Sequence, residues 1–164
     1  MKQRKPITPD NAYLRLATLC ARCEHAEGDL RRKLHEWGVA PTHANAIIER
    51  LKQERFLDNG RYARAYCRDK LRFNGWGRLK LAFMLKGKGI EQDIIDATLS
   101  EIDNEQYAHI LNDTLEAKAK TLKSKDPQLS RAALLRFAAS RGFEPAIIYK
   151  AVDRILNTCG NEDL

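Results

Sequence analysis

The chain has 164 residues, of which 43% are hydrophobic, and its formal net charge is +7. Nine glycines and five prolines are too few for a collagen-like or low-complexity protein. No apolar run reaches the length of a membrane span, and the basic beginning of the chain lacks the apolar stretch of a signal peptide. Leucine, alanine, isoleucine, lysine and arginine dominate, which favours an all-α protein.

The first predicted unit spans residues 10–58 and follows a short disordered lead at residues 1–9. Apolar residues at helical spacing predict three helices, over residues 10–22, 27–37 and 43–55. Thr8 and Thr42 are the expected N-caps of the first and third helices, because a threonine hydroxyl accepts a hydrogen bond from a helical amide. Gly38 should end the second helix, since glycine adopts the left-handed conformation required there.

The second predicted unit spans residues 59–103. Its helices are predicted over residues 59–73, 78–86 and 92–102. Asp58 is the expected N-cap of the first of them. The run Asn-Gly-Trp-Gly at residues 74–77 should break the chain before the second helix, because two glycines flank the aromatic residue.

The third predicted unit spans residues 104–157. Asn104 and Ser130 are the expected N-caps of its first two helices. Glu144 and Pro145 should open its last helix, since proline suits the first helical turn. Residues 158–164 are expected to form a loose tail.

The three units share a pattern at the end of their second helix. Each has a glycine, an apolar residue directly after it, and an Ile-Ile pair further on: Gly38, Val39 and Ile47–Ile48; Gly89, Ile90 and Ile94–Ile95; Gly142, Phe143 and Ile147–Ile148. The glycine would turn the chain, and the isoleucines would pack back on the first two helices. A unit of about 45 residues barely supports its own core, so we predict tandem three-helix repeats that stack into an elongated, curved molecule. Coincidence among helix-rich segments is the alternative.

Positive charge is concentrated in the basic segment, which we define as Gly60–Ile90. This segment holds nine lysines and arginines and one acid, Asp69, whereas the rest of the chain has a net charge of −1. The nine cations are Arg61, Arg64, Arg68, Lys70, Arg72, Arg78, Lys80, Lys86 and Lys88. Such a local field with interleaved aromatic residues favours a surface that binds a polyanion or an acidic partner, and a solvated helix face is the alternative.

Helical spacing sorts the side chains of the basic segment into faces. Four arginines of the helix at residues 59–73 fall on one stripe and three aromatic residues on another: Arg61, Arg64, Arg68 and Arg72, and Tyr62, Tyr66 and Phe73. We expect the aromatic stripe to pack and the arginine stripe to face outward. Trp76 is the expected aromatic anchor of the surface. Leu79 and Phe83 are either exposed to a partner or covered by another helix.

No catalytic or metal site is predicted. Cys20 and Cys23 form a CxxC with His25 close by, but no second CxxC or HxxxH supplies the other ligands of a zinc site. We expect both cysteines to pack as small apolar residues of a helix. No glycine-rich phosphate loop or HExxH motif occurs, so neither catalytic residues nor a cofactor are expected.

Several stretches resemble the RecX family, which comprises bacterial regulators of the RecA recombinase. They are HAEGDLRRKL (His25–Leu34), FLDNGRYARAY (Phe56–Tyr66), GWGRLKL (Gly75–Leu81) and LKGKGI (Leu85–Ile90). The resemblance covers about residues 12–155 and is weakest in the last unit. The chain departs from the family at Ala26, where a serine cap is frequent, and at Asn59, where aspartate is frequent. It also departs near Leu79 and Phe83, where polar residues are usual.

The resemblance implies a non-enzymatic regulator that acts in DNA recombination, DNA repair and the SOS response. Members of this family look like modulators that lie in the groove of the RecA–DNA filament and oppose its extension, ATP hydrolysis and strand exchange. The binding residues in this chain would then be the nine cations of the basic segment together with Trp76. A basic helical module that binds DNA phosphates directly is the alternative. We expect a cytoplasmic monomer that does not associate with membranes.

Overall fold

The computed structural model describes residues 5–160, and over this range the chain is all-helical, without strands. Its helices are α1 (Pro9–Arg22), α2 (Glu27–Glu36), α3 (Pro41–Gln53), α4 (Asn59–Asn74), α5 (Arg78–Gly87), α6 (Gln92–Ser100), α7 (Asn104–Ala119), α8 (Pro127–Ser140) and α9 (Pro145–Cys159). The all-α prediction is therefore confirmed. Residues 158 and 159 belong to α9 rather than to a loose tail, and the parts of the predicted lead and tail at residues 1–4 and 161–164 lie outside the described residues.

Two of the predicted N-caps form as expected. The Thr8 hydroxyl accepts a hydrogen bond from the Asn11 amide at 3.3 Å, and Pro9 begins α1. The Asp58 carboxylate accepts from the Arg61 amide at 3.0 Å at the start of α4. Each side chain satisfies one of the amides that a helix leaves without an internal partner.

Three other predicted N-caps are wrong, each because the helix begins earlier than expected. Thr42 lies inside α3, which begins at Pro41 with no side-chain cap. Asp103, not Asn104, caps α7. Asp126, not Ser130, caps α8, and the proline that follows it occupies the first helical position.

The described residues divide into two compact units. The first unit comprises residues 5–66 and 84–98, and the second comprises residues 67–83 and 99–160. The division falls inside α4 and α5, so the boundaries of the predicted repeats do not coincide with those of the compact units. Each unit has its own apolar core: α1, α2 and α3 supply the first, and α7, α8 and α9 supply most of the second. The predicted elongated, curved shape stays a prediction.

The predicted glycine turn recurs with the same geometry in all three places. Gly38, Gly89 and Gly142 have φ angles of 75°, 78° and 86°. The apolar residue after each glycine is buried, and its amide donates to the carbonyl of a residue five positions earlier, at 3.0, 3.2 and 3.3 Å. These bonds satisfy helix carbonyls that would otherwise lack a donor, which is the geometry of a Schellman motif. The three-helix repeat therefore has a structural basis in a turn that recurs three times in the described residues.

Two of these turns dock on the beginning of another helix, once within each compact unit. In the first unit the Gly28 amide donates to the Lys88 carbonyl at 3.0 Å. In the second unit the Gly77 amide donates to the Arg141 carbonyl at 2.7 Å. A β-carbon placed on either glycine would lie 2.4 Å from the nearest backbone oxygen, which no real side chain permits. Both glycines are thus required because another backbone approaches closely.

The buried thiol of Cys67 on α4 should make the folded protein less stable at alkaline pH. Cys67 is buried, and burial raises the pKa of its thiol from 9.0 to about 11. As pH rises from about 9 to 11, the unfolded chain loses this proton first, so folding stability is lost across that window. We expect Cys67→Ala to lose less stability than the wild type between about pH 8.5 and 10.5, measured as the urea midpoint. Equal losses in the two proteins would contradict this expectation.

Candidate binding surface

Helix α4 separates a buried stripe of small and apolar residues from an exposed stripe of arginines. Ala63, Cys67 and Leu71 are buried at a spacing of four residues. Arg64, Arg68 and Arg72 follow them by one position and are exposed. Three of the four arginines of the predicted stripe therefore face outward, whereas the fourth, Arg61, is half-buried. The packed face, however, is formed by these smaller residues, with Tyr62 and Tyr66 only half-buried.

Residues 68–83 also expose large apolar side chains. Phe73, Leu79 and Phe83 are 74%, 55% and 76% exposed, and they are half of the large hydrophobic residues exposed in the part of the chain that the structure describes. The prediction that Phe73 packs is therefore wrong. Leu79 and Phe83 are exposed, which is one of the two alternatives that the sequence left open for them. Leu79 and Phe83 lie one turn apart on the same face of α5. We call the exposed side chains of Arg68, Arg72, Phe73, Leu79 and Phe83 the basic–apolar segment.

The indole ring of Trp76 lies against two lysines of the second compact unit. The Lys80 ammonium is 4.4 Å and the Lys70 ammonium 5.0 Å from the ring centroid. A cation is attracted to the face of an indole ring by the ring quadrupole. Trp76 therefore holds the two ammonium groups close together, and in the sequence it lies between Phe73 and Leu79 of the basic–apolar segment. All three side chains are half-buried.

Three of the ten predicted binding residues have ion-pair partners that are distant in the sequence, which sequence reasoning missed, and a fourth, Arg68, lies 3.8 Å from its exposed neighbour Asp69. The Arg61 guanidinium lies 2.9 Å from the Glu24 carboxylate, and the Lys88 ammonium lies 3.0 Å from that of Asp29. Arg78 is the third. Of the other predicted residues, Arg64 and Lys86 are exposed in the first compact unit. The role of all ten in binding stays a prediction.

Arg78 joins three elements of the second compact unit. Its guanidinium contacts Glu144 at 3.1 Å and donates to the Asn104 side chain at 2.8 Å. It also lies 3.9 Å from the centre of the Tyr107 ring, and the Tyr107 hydroxyl accepts from the Arg78 amide at 2.9 Å and donates to Glu144. Burial and the hydrogen bond with Glu144 raise the pKa of Tyr107, so this hydroxyl stays protonated. These contacts of Arg78 lie within the second compact unit, so its main role is structural.

Two arginines of the basic segment should differ sharply in their effect on stability. We expect Arg78→Ala to cost about 2–3 kcal/mol, because it leaves the partly buried Glu144 without its charged donor. Arg72→Ala removes an exposed side chain and should change stability by less than about 0.5 kcal/mol. Urea unfolding of the two variants measures both values. Similar losses in the two would contradict the assignment of Arg78 as an internal contact.

The departure from the family at Asn59 has a local explanation. Asn59 is buried, and its amide nitrogen donates to Glu27 at 3.1 Å and to Glu91 at 3.0 Å. Burial alone would raise the pKa of the Glu27 carboxyl, but hydrogen bonds from Lys52, Arg31 and Asn59 outweigh it and lower that pKa. An aspartate at position 59 would place a third carboxylate between two glutamates. The asparagine thus fits the charges around it in this chain.

Cys20, Cys23 and His25 are close together in the sequence but differ in burial. Cys20 packs against the first core, whereas Cys23 is exposed, so the expectation that both pack is wrong for Cys23. The Cys23 sulfur lies 3.4 Å from Nε2 of His25. Within residues 5–160 no group of three or more potential ligands is placed to hold a metal ion.

The described helices can be compared with the length that a membrane span requires. Within residues 5–160 the longest are α4 and α7, with 16 residues each, and none combines the length and apolarity that crossing a bilayer requires.

These features define an all-α repeat protein whose middle segment exposes arginines and large apolar side chains. Residues 58–99 match the family model described as the second three-helix domain of RecX. The chain is 32% identical over 133 residues to the regulatory protein RecX of Prosthecochloris aestuarii, covering 81% of this chain and 85% of that protein. It is 33% identical over 133 residues to the regulatory protein RecX of Clostridium perfringens (strain SM101 / Type A), covering 80% of this chain. The chain belongs to the RecX family of regulatory proteins.

The lengths of the relatives differ. The chain spans 62% of the length of the Clostridium perfringens protein and 85% of that of the Prosthecochloris aestuarii protein. What the longer relatives do as whole proteins is therefore only proposed for this chain.

Solved structures support the fold. A crystal structure of a regulatory protein RecX matches with a TM-score of 0.81 at 19% identity, over 88% of this chain and 71% of that chain. The crystal structure of RecX from Lactobacillus salivarius matches with a TM-score of 0.79 at 16% identity, over 89% of this chain and 95% of that chain. At these identities the likeness establishes the fold alone.

Proposed function

We propose that this protein binds the filament that RecA forms on DNA and opposes its extension, ATP hydrolysis and strand exchange. The proposal rests on membership of a family of regulatory proteins and on the exposed side chains of the basic segment. The protein would act by binding and not by catalysis. It would do so in the cytoplasm as a monomer.

The observation that carries the proposal is the mixture of charge and apolar surface at residues 68–83. Exposed arginines suit carboxylates and phosphates, because the guanidinium fork pairs with both in a bidentate manner. A leucine and a phenylalanine one turn apart offer nothing to a phosphate backbone, but they suit a depression in a protein surface. Leu79 and Phe83 therefore favour a partner that contains protein over free DNA.

Inhibition follows if the protein prefers one arrangement of the filament. A ligand shifts a conformational equilibrium only by its difference in affinity for the two states. A repeat protein that contacts neighbouring RecA protomers would favour the spacing that matches its own contacts, and it would thereby oppose the changes that accompany ATP hydrolysis. The cations would contact acidic filament surface, DNA phosphates, or both.

The test is a binding and activity assay with purified components. RecA on single-stranded DNA should hydrolyse ATP more slowly as this protein is added. RecA should also be captured by the immobilised protein after nuclease treatment, since the contact would include protein surface. Unchanged ATP hydrolysis would reject the proposal. Capture that disappears with nuclease would instead support a module that acts through DNA.

A further inference from the structure

A cleft of about 570 Å³ opens in the second compact unit, where the end of α4 meets α7 and the end of α8. Its size is that of a small-ligand site. Arg72 and Phe73 line it from α4, Lys118 from α7, and Phe137 and Arg141 from α8 and the turn that follows. Apart from Arg72, these residues lie outside the set that the sequence predicts for binding.

The end of α4 lies close to both neighbouring elements of the cleft. Gly75 has a φ angle of 61°, and a β-carbon added to it would lie 2.9 Å from the Thr114 hydroxyl of α7, so glycine permits this close approach. The Arg141 guanidinium donates to the Asn74 carbonyl at 2.9 Å and thereby joins the end of α8 to the end of α4. The cleft is therefore part of the packed fold.

Cations and aromatic rings alternate along the cleft. The Lys118 ammonium lies 5.1 Å and the Arg141 guanidinium 5.0 Å from the centre of the Phe137 ring. The Arg72 guanidinium lies 5.5 Å from the Phe73 ring, most of which is exposed. Asp113 is the one carboxylate in the lining, against three cations, so the lining has a net positive charge.

We propose that this cleft binds a short single-stranded nucleic-acid segment. One base would stack on the exposed ring of Phe73, and the neighbouring phosphates would lie beside Lys118 and Arg141. Aromatic platforms flanked by cations bind single strands in this way, because every base has a stacking face and every linkage carries a negative charge. A free inorganic anion has no base to stack on the Phe73 ring. The proposal does not depend on the RecA contact, and its binding measurements contain no RecA.

The experiment measures binding of a fluorescent thymidine oligonucleotide of about 12 nucleotides, within the site sizes of about 4–16 nucleotides known for such proteins. The cleft variant is Phe73→Ala with Lys118→Ala. The matched control is Tyr149→Ala with Lys150→Ala, which also removes one exposed aromatic residue and one cation, but on α9 outside the cleft. We expect the cleft variant to bind at least about ten-fold more weakly than the control, the usual scale for one lost stacking contact.

Two further measurements separate stacking from charge. An abasic oligonucleotide of the same length should bind the wild type more weakly than the thymidine strand, and Phe73→Ala alone should remove this difference. Lys118→Ala alone should lower the slope of log affinity against log salt by about 0.7, the value for one phosphate contact on a single strand.

Three results would overturn the proposal. They are undetectable binding of the strand at low salt, equal affinities of the cleft and control variants, and equal binding of the abasic and thymidine strands by the wild type. If the cleft variant binds the strand like the control but no longer inhibits RecA, the cleft is a protein contact and the nucleic-acid assignment is rejected.

Discussion

Gly142→Ala is expected to destabilise the second compact unit by roughly 3–5 kcal/mol, far more than Gly38→Ala destabilises the first. Both glycines end a helix with a positive φ angle, and they occupy equivalent turns. A β-carbon at Gly142 would lie 2.3 Å from the β-carbon of Lys80 and 2.4 Å from its backbone nitrogen, whereas one at Gly38 would meet nothing within 4 Å. Gly38→Ala should therefore cost only the left-handed conformation, about 1–2 kcal/mol.

Two more glycines complete the comparison. Gly28→Ala tests close approach without the positive φ angle, since only the Lys88 carbonyl stands in the way. Gly87→Ala tests neither, because nothing lies within 4 Å of its added β-carbon. Urea unfolding gives the free energies, and hydrogen exchange shows which compact unit is affected. Equal losses for Gly142→Ala and Gly38→Ala would mean that the docking of the turn on Lys80 contributes nothing.

Removing three arginines of α4 should abolish most of the inhibition of RecA. In the variant Arg64→Ala, Arg68→Ala, Arg72→Ala, all three side chains are exposed, so the fold should be unaffected while the charged contacts are lost. We expect half-inhibition of RecA ATP hydrolysis to need at least about ten-fold more protein, since each exposed charged contact contributes on the order of 0.5–1 kcal/mol.

The control for this variant removes the same charge elsewhere. Lys123, Arg136 and Lys150 are exposed cations outside the basic segment, and their replacement by alanine should leave inhibition within about two-fold of the wild type. The double variant Arg64→Ala, Arg68→Ala spares Arg72, which also lines the cleft, and therefore separates the filament contact from binding of a single strand. Full inhibition by the triple variant would show that the arginine stripe is not the contact.

Helix positions were predictable from the sequence, but the first residues of several helices were not. At the starts of α7 and α8 a second capping residue stands within a few positions, Asp103 before Asn104 and Asp126 before Ser130. Local spacing cannot choose between such neighbours. The choice depends on the apolar residues that each start brings to the core, which is a property of the fold.

The error at Phe73 has a different cause. A helical wheel groups the aromatic residues of α4 and suggests that they form the packed face. The face that packs carries Ala63, Cys67 and Leu71, whereas the larger Phe73 is exposed. Side-chain size alone does not predict burial.

The internal ion-pair partners of the cations could also not be predicted from local sequence spacing. Arg78 and Glu144 are 66 positions apart, and Lys88 and Asp29 are 59 apart. Equivalent repeat positions give little help: Glu91 and Glu144 both follow the apolar residue of a glycine turn, but Glu91 accepts from Asn59 of α4 and Glu144 accepts from Arg78 of α5.

The two glycine junctions limit how this sequence can vary. Gly28 faces the Lys88 carbonyl and Gly77 faces the Gly142 carbonyl, each at 2.4 Å from where a β-carbon would stand. Any larger residue at either position would force the docked turn to move away. Each glycine is therefore coupled to a turn about 60 positions further along the chain, and the two partners of a junction cannot mutate independently.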